Sequence, residues 1–445
     1  MLLSLPFLAV AALVTPPVPT ITESAVLDAP SPTTSPTFGM IVGISGDRVI
    51  AAGPEPARIS GSVGQVATFE LEPTGSWRTY KEMLSIDNTP VGNLVLGRAV
   101  LGGNSLLVSD ERRDGGNSCI VTFERDSSAS GWKYVGRLQP LASASEPAFG
   151  GVLACDGSIA AIGTVDLRVL GEAPRTVQES PKVYLFKNGP EGWKGLGFLQ
   201  RDAALKPTFF GASLSMSPGQ IVVACPNAIP AAPHQKLVTG GASVVVVYRQ
   251  TAAGLWGIDG ELTPPPGNPD WLGFGVTVAS DSNTIAVRMA KITAPAGKVF
   301  VYRRGDAGWN YEGELAPLTD VVPGSGWGVA LAIADGRVIL GDPSALAGQS
   351  TGYLGVFARR DDGVWGESVR LRPTVPVSSA RWGVSVRAEG TRVIVARSTS
   401  EREGVVPGGA LVYNLPPISQ LPPVIPVELV PASSAPLDAG SGAPR

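Results

Sequence analysis

One histidine, His234, serves 445 residues. Imidazole is the usual base of nucleophilic dyads and the usual ligand of transition metals, so both kinds of chemistry start short of their main ingredient. Cysteine is nearly as scarce. Cys119, Cys155 and Cys225 cannot all pair, have no CxxC spacing and sit in apolar, strand-like runs. That context fits buried free thiols, with one disulfide open to an exported chain. Charge is thin too: Asp, Glu, Lys and Arg make 16%, and 35 basic residues against 38 acidic leave a net of −3. A nucleic-acid binder carries a basic footprint that this chain lacks. No phosphate-binding loop, dinucleotide fingerprint, cysteine-histidine metal spacing or Asn-x-Ser/Thr acceptor occurs. The predicted cofactor complement is therefore none, and no catalytic, cofactor-binding or metal-ligating residue is assigned.

Long apolar runs are missing after the amino terminus, so no transmembrane span is predicted. The one run present, Leu2 to Val14, ends in small residues and prolines and has the length of a secretory signal's apolar region, although no Lys or Arg precedes it. Residues 1–19 are predicted to be a signal peptide, which places the rest outside the cell or in its envelope.

What is abundant is glycine (55) and proline (40), in a chain still 44% apolar. That mixture predicts many short strands separated by many turns. The strands repeat. An aromatic (or Leu) followed by Gly stands at Phe38-Gly39, Leu96-Gly97, Phe149-Gly150, Phe210-Gly211, Phe274-Gly275, Trp327-Gly328 and Trp382-Gly383, with steps of 58, 53, 61, 64, 53 and 55 residues. A β-branched run follows each, among them "RVIAAG", "QIVVAC" and "RVILGD", after tight links such as Gly46-Asp47, Asp156-Gly157 and Asp335-Gly336. A third strand ends on one aromatic: Phe69, Phe123, Phe186, Tyr248, Tyr302, Phe357 and Tyr413. The fourth begins at Trp77, Trp132, Trp193, Trp256, Trp309 or Trp365 and carries an apolar anchor six residues on, at Met83, Leu138, Leu199, Leu262, Leu315 or Leu371.

Four strands per unit, repeated seven times, predict an all-β, seven-bladed β-propeller. A lone blade leaves both sheet faces wet, so the recurring aromatics are assigned to the seams between blades. The seventh unit runs from Tyr413 into "NLPPISQLPP" without a fourth strand. "ITESAVLDAP" supplies it: Ile21 takes the tryptophan's place, Leu27 follows at the same interval of six, and the amino-terminal strand closes the last blade.

This landmark set, over roughly residues 20–415, resembles the bacterial FG-GAP repeat, related to the repeats of integrin alpha-chain propellers. The first and sixth copies match it best, with Gly53-Pro54 and Gly341-Asp342-Pro343 completing them. The resemblance implies calcium loops of Asp-x-Asp-x-Asp type, and here the sequence departs from it. The links hold only Asp47, Asp156, Asp281, Asp335 or Glu389, too few oxygens for a cation that wants six to eight, and are assigned as turn-formers. No adhesion function carries over.

Gly348-Gln349-Ser350-Thr351-Gly352 matches the nucleophile-elbow pattern but sits in a loop between strands, two blades from His234. It is assigned as accidental, His234 as a solvated loop residue, and "ERRDGG" (111–116) and "STSEREG" (398–404) as solvated charge. The longest irregular links, "PEPARISGSVG", "TVDLRVLGEAPRTVQESP" and "NAIPAAPHQKLVTGG", all fall on the face where second strands lead to third strands. A recognition surface on a rigid scaffold has that form. The predicted function is an exported, non-catalytic scaffold binding a protein or glycan partner there. The alternatives are a propeller lyase or hydrolase with carboxylates converging at the axial channel, and a structural envelope component. Residues 416–445, with eight prolines, are predicted to be an extended tail.

Overall fold

The computed structural model describes residues 18–28, 38–53, 65–80, 84–85, 96–110, 118–126, 131–140, 146, 148–165, 181–202, 208–230, 236–238, 242–267, 272–291, 296–317, 326–343, 352–374, 382–397 and 408–420. His234, the serine of the elbow-like pentapeptide, both charged loops, residues 1–17 and the tail from 421 lie outside them.

Seven antiparallel sheets follow one another along the chain. Blade four shows the plan: Ser213–Ser217, Gln220–Cys225, Val244–Gln250 and Trp256–Leu262 pair in sequence order from the innermost strand outward. The innermost strands are Ile41–Ser45, Leu96–Gly102, Val152–Cys155, Ser213–Ser217, Leu272–Ser280, Ala330–Ala334 and Val386–Glu389. Each touches the next around the circle, and the seventh touches the first, so the ring is closed. Outside the strands a single 3-10 turn, Ile418–Gln420, is present among the described residues. No helix among them is long and apolar enough to cross a membrane.

The seams hold the aromatics as the spacing requires. Phe38, Phe149, Phe210, Phe274, Trp327 and Trp382 are buried, and so are all seven aromatics of the third strands. The glycine after each first-landmark aromatic has a backbone reason. Six of the seven lie in the left-handed region, with φ between 72° and 94° (Gly39, Gly150, Gly211, Gly275, Gly328, Gly383). A Cβ on Gly328 would also stand 2.4 Å from Cγ2 of Val299.

The fourth strands carry a feature the sequence analysis did not identify. In blades two to six the register against the third strand shifts at its aromatic. One fourth-strand residue is thereby left without a partner: Val135, Leu196, Asp259, Glu312 and Ser368 respectively, always three residues after the tryptophan. Such a bulge turns an extra side chain out of the ladder, and in blades four and five that side chain, Asp259 or Glu312, reaches the following blade.

The amino-terminal strand closes the ring, though not as one piece. Ala25–Asp28 pairs antiparallel with Gly409–Asn414 of blade seven, placing Leu27 opposite Ala410. Thr20–Thr22 instead pairs parallel with Trp365–Arg372 of blade six, Ile21 opposite Leu371. Ile21 still packs in the seam between blades six and seven, where a seventh tryptophan would lie, but its backbone belongs to the other side of that seam. The step from one blade to the other falls at Glu23-Ser24: Ser24 donates to the carbonyl of Val412, and Glu23 accepts the amide of Thr374.

Candidate functional site

A closed propeller offers three places for chemistry: the outer rim, the two faces, and the axial channel. On the rim, the bulge residues meet their neighbours. Asp259 of blade four accepts Trp309 Nε1 at 3.0 Å and Arg304 Nη2 at 3.0 Å, both from blade five. Glu312 of blade five accepts Trp365 Nε1 at 2.9 Å and Arg359 Nε at 3.1 Å, both from blade six. Blade one reaches the same end differently. Tyr80, three residues after Trp77, donates to Glu70, and Arg125 of blade two donates to Tyr80 Oη and Glu70, each at 2.8 Å. Burial alone would raise the carboxyls of Glu70 and Asp259. The Tyr80 and Arg125 bonds to Glu70, and the Arg304, Trp309 and Arg249 bonds to Asp259, outweigh it and hold both below their ordinary values.

The face of short turns is sewn together by the first residue of the second strand. Arg392 of blade seven donates to Gly46 O and Asp47, Arg48 of blade one to Gly103 O and Asn104, and Gln220 of blade four to Asp281 O. Asp156 Oδ1 accepts the amides of Ser158 and Ile159, and Asp281 Oδ1 those of Asn283 and Thr284. Glu389 accepts the amide of Gly46 across the seam between blades seven and one. These acids form turns and seams. No group of three or more His, Cys, Asp or Glu side chains with metal-binding placement occurs among the described residues.

On the opposite face, most of each long irregular link lies outside the described residues. Within the blade-four link, Ala228–Pro230 and Lys236–Val238 form a small hairpin of their own. Near this face Glu146 is buried and accepts Lys182 Nζ at 2.8 Å and Tyr184 Oη at 3.0 Å. The Lys182 ammonium lies 5.3 Å from the Phe198 ring. The Glu146 bond raises the Lys182 ammonium and, after burial, also the Tyr184 phenol, so the cluster fixes charge rather than freeing a base.

Cys119, Cys155 and Cys225 are free thiols. Burial pushes Cys155 up to about 12 and Cys225 further still, which makes neither a nucleophile.

The channel is lined by the first strands, and its mid-depth ring follows from the register. Gly43, Val100, Ala154, Ser215, Ala279 and Ala332 pair with equivalent residues of their second strands. In blade seven that place is Arg387, opposite Ile394. One cation thus stands where six blades present small or neutral side chains. Arg387 is open to water, and its Nη1 donates to the carbonyl of Val386 at 2.9 Å. Arg98 enters from blade two, nearer the long-loop face, steered by an Nε bond to Gly151 O at 3.4 Å. Sequence analysis did not single out either arginine. Aligning the seven first strands on their glycines would have marked both as charges in neutral columns.

No protein-family model and no curated protein matches the sequence. Solved structures do. A periplasmic gluconolactonase from Pseudomonas aeruginosa aligns at 12% identity and a TM-score of 0.47, over 84% of this chain and 88% of that one. The β-propeller domain of the Trilobed protease from Pyrococcus furiosus aligns at 12% and 0.42, over 84% and 93%. An acylaminoacyl peptidase from Pyrococcus horikoshii aligns at 12% and 0.44, over 84% of this chain and 50% of its own. At such identities the activities in those names transfer nothing to this chain.

Proposed function

We propose that this protein is an exported, non-catalytic binding scaffold, a propeller of the FG-GAP kind, that holds a protein or glycan partner on its long-loop face. The supporting observation is how the described acids are used. Glu70, Asp259 and Glu312 clamp one blade to the next on the rim, Asp47 and Glu389 sew the short-turn face, and Asp281 caps its own turn. Carboxylates serving the ring are what a rigid platform needs, whereas glycoside cleavage needs two of them facing one bond. The apolar run from Leu2 to Val14 supports export.

The test is thermal melting of the purified chain against a panel of polysaccharides, with each spent mixture sized for shortened products. A partner that binds the folded ring alone raises the melting temperature by mass action. A rise with intact glycan is the expected result. Shortened products would replace this reading with a glycan-cleaving enzyme.

A further inference from the structure

We infer that the outer edge of blade three binds an extended strand from a protein partner. This is a second contact surface, on the rim, and it stands independently of the long-loop face.

The edge itself comes first. Gly192–Leu199 is the outermost strand of its sheet, so one side of its backbone has no strand beside it among the described residues. Unpaired amides and carbonyls recruit other strands, and proteins guard such edges with charge. The outer strands of blades two, four, five and six carry two or three charged residues each. This one carries Lys194 alone, and Glu191 pairs with it. It has three glycines instead. A Cβ on Gly192 or Gly197 would meet nothing within 4 Å, so another backbone can come close.

An added strand sends alternate side chains to the two faces of blade three, and both faces offer it apolar surface. On the side of blade two, Phe198 pairs with Tyr184, their rings 5.6 Å apart, and is 44% exposed. Val135 is exposed at the bulge of blade two. On the side of blade four, Leu196 is exposed at the bulge of blade three, and Ile258, 62% exposed, stands opposite Tyr248. The patch continues two established interfaces outward: the seam core that holds Tyr184 and Phe186, and the one that holds Leu199, Tyr248 and Trp256.

The chain shows what covers such a place. Seam six–seven has neither bulge acid nor indole, and an extended segment lies on it. Thr20–Thr22 adds to the outer edge of blade six, Ile21 packs in the seam, and Pro19 O accepts the amide of Arg370. Seams one–two, four–five and five–six are closed instead by Arg125, Arg304 and Arg359 with their acids. Seam three–four has neither closure: Leu196 stands in the acid's place, and Trp256 Nε1 is buried without a partner. A half-exposed leucine where an acid would satisfy that indole costs the fold stability, and a docking role accounts for it. The occupant is therefore a strand of about five residues, uncharged, β-branched or aromatic at successive positions and free of proline. Main-chain bonds to the edge hold it, and the apolar side chains on either face select it.

The test pans random decapeptides displayed on phage against the full chain, and the enriched peptides are synthesised with a fluorescent label. They should carry apolar, β-branched runs. Binding should weaken about tenfold or more when alternate peptide amides are N-methylated, and by as much on Leu196→Asp or Ile258→Lys. Both substitutions fall on exposed side chains, so each variant keeps its fold. Val364→Asp, at a side chain equally exposed on blade six, whose edge is already filled, should bind as the unmodified chain does. The inference is overturned if no peptide is enriched, if both rim variants bind undiminished, or if N-methylation changes nothing. Sedimentation tests the other occupant: a dimer of the unmodified chain that dissociates in Leu196→Asp would give the edge to a second copy and overturn the partner reading.

Discussion

Leu196→Asp should stabilise the protein. Leu196 is the bulge residue of blade three, the place that Asp259 and Glu312 hold in blades four and five. There the following blade's tryptophan finds an acceptor. In blade four it does not: Trp256 Nε1 is buried with no hydrogen-bond partner. The seam between blades three and four also lacks the arginine, because its place holds Gln250, whose amide bonds to Gly254 within its own blade. A buried unpaired N–H costs about 1–3 kcal/mol. Leu196 is already 48% exposed, so removing it gives up roughly half of a leucine's burial, about 1 kcal/mol. The expected net gain is about 1 kcal/mol.

Urea unfolding reads this as a higher midpoint at unchanged slope. The reverse substitution, Asp259→Leu, strands Trp309 and Arg304, removes the ion pair of Arg249, and should cost about 3 kcal/mol. Asp259→Asn separates the two components, since it retains an acceptor for the indole and loses only the charge. The reasoning fails if Leu196→Asp lowers the midpoint, or if Asp259→Leu leaves it unmoved.

Three further outcomes follow from the same structure. Leu27→Ala, at a side chain 2% exposed in the closing strand, should cost about 2–4 kcal/mol in chemical unfolding; a cost below 1 kcal/mol would mean that this strand does not hold blade seven. Gly328→Ala forces a φ of 72° and a 2.4 Å approach to Val299, and its melting temperature should drop by several degrees. Acid should weaken the rim. The folded carboxyls of Glu70 and Asp259 lie below their ordinary 4.5 and 3.8, so their stabilisation is complete above those values and is lost as pH falls through and below them. Melting curves between pH 6 and 3 should show that loss, with a shallower slope in Asp259→Asn.

The repeat was legible because seams between blades impose a period on large side chains. Phe38, Phe149, Phe210 and their counterparts recur at steps set by four strands and their turns, and the propeller buries them. The rim clamps were not legible in the same way. Their identity changes from blade to blade (Tyr80 with Glu70, then Asp259, then Glu312), so no single residue type repeats. What does repeat is a glycine four residues after the tryptophan, at Gly136, Gly197, Gly260 and Gly313, immediately after the bulge. At Gly260 a Cβ would lie 2.9 Å from Cδ1 of Trp309, whereas at Gly197 and Gly313 it would meet nothing within 4 Å, so the crowding is particular to blade four. The spacing Trp-x-x-x-Gly accompanies the bulge in blades two to five, and it could have been read alongside the interval of six to the apolar anchor.

Ile21 shows where that interval misleads. Its spacing to Leu27 matches the other blades, and its side chain does fill the seam between blades six and seven. Its strand nonetheless bonds to Leu371's neighbourhood in blade six. The reason lies in what this seam lacks. Its bulge residue, Ser368, turns inward to Val356 O, and the place that holds Arg125, Arg304 or Arg359 elsewhere is Leu415. With neither bulge carboxylate nor indole at this seam, bonds from the amino-terminal segment take the clamp's place. The amide of Arg370 donates to Pro19 O, that of Ser24 to Val412 O, and that of Thr374 to the Glu23 carboxylate. Paired with both blades, the amino-terminal segment holds them together at the point where the chain must return to its own beginning.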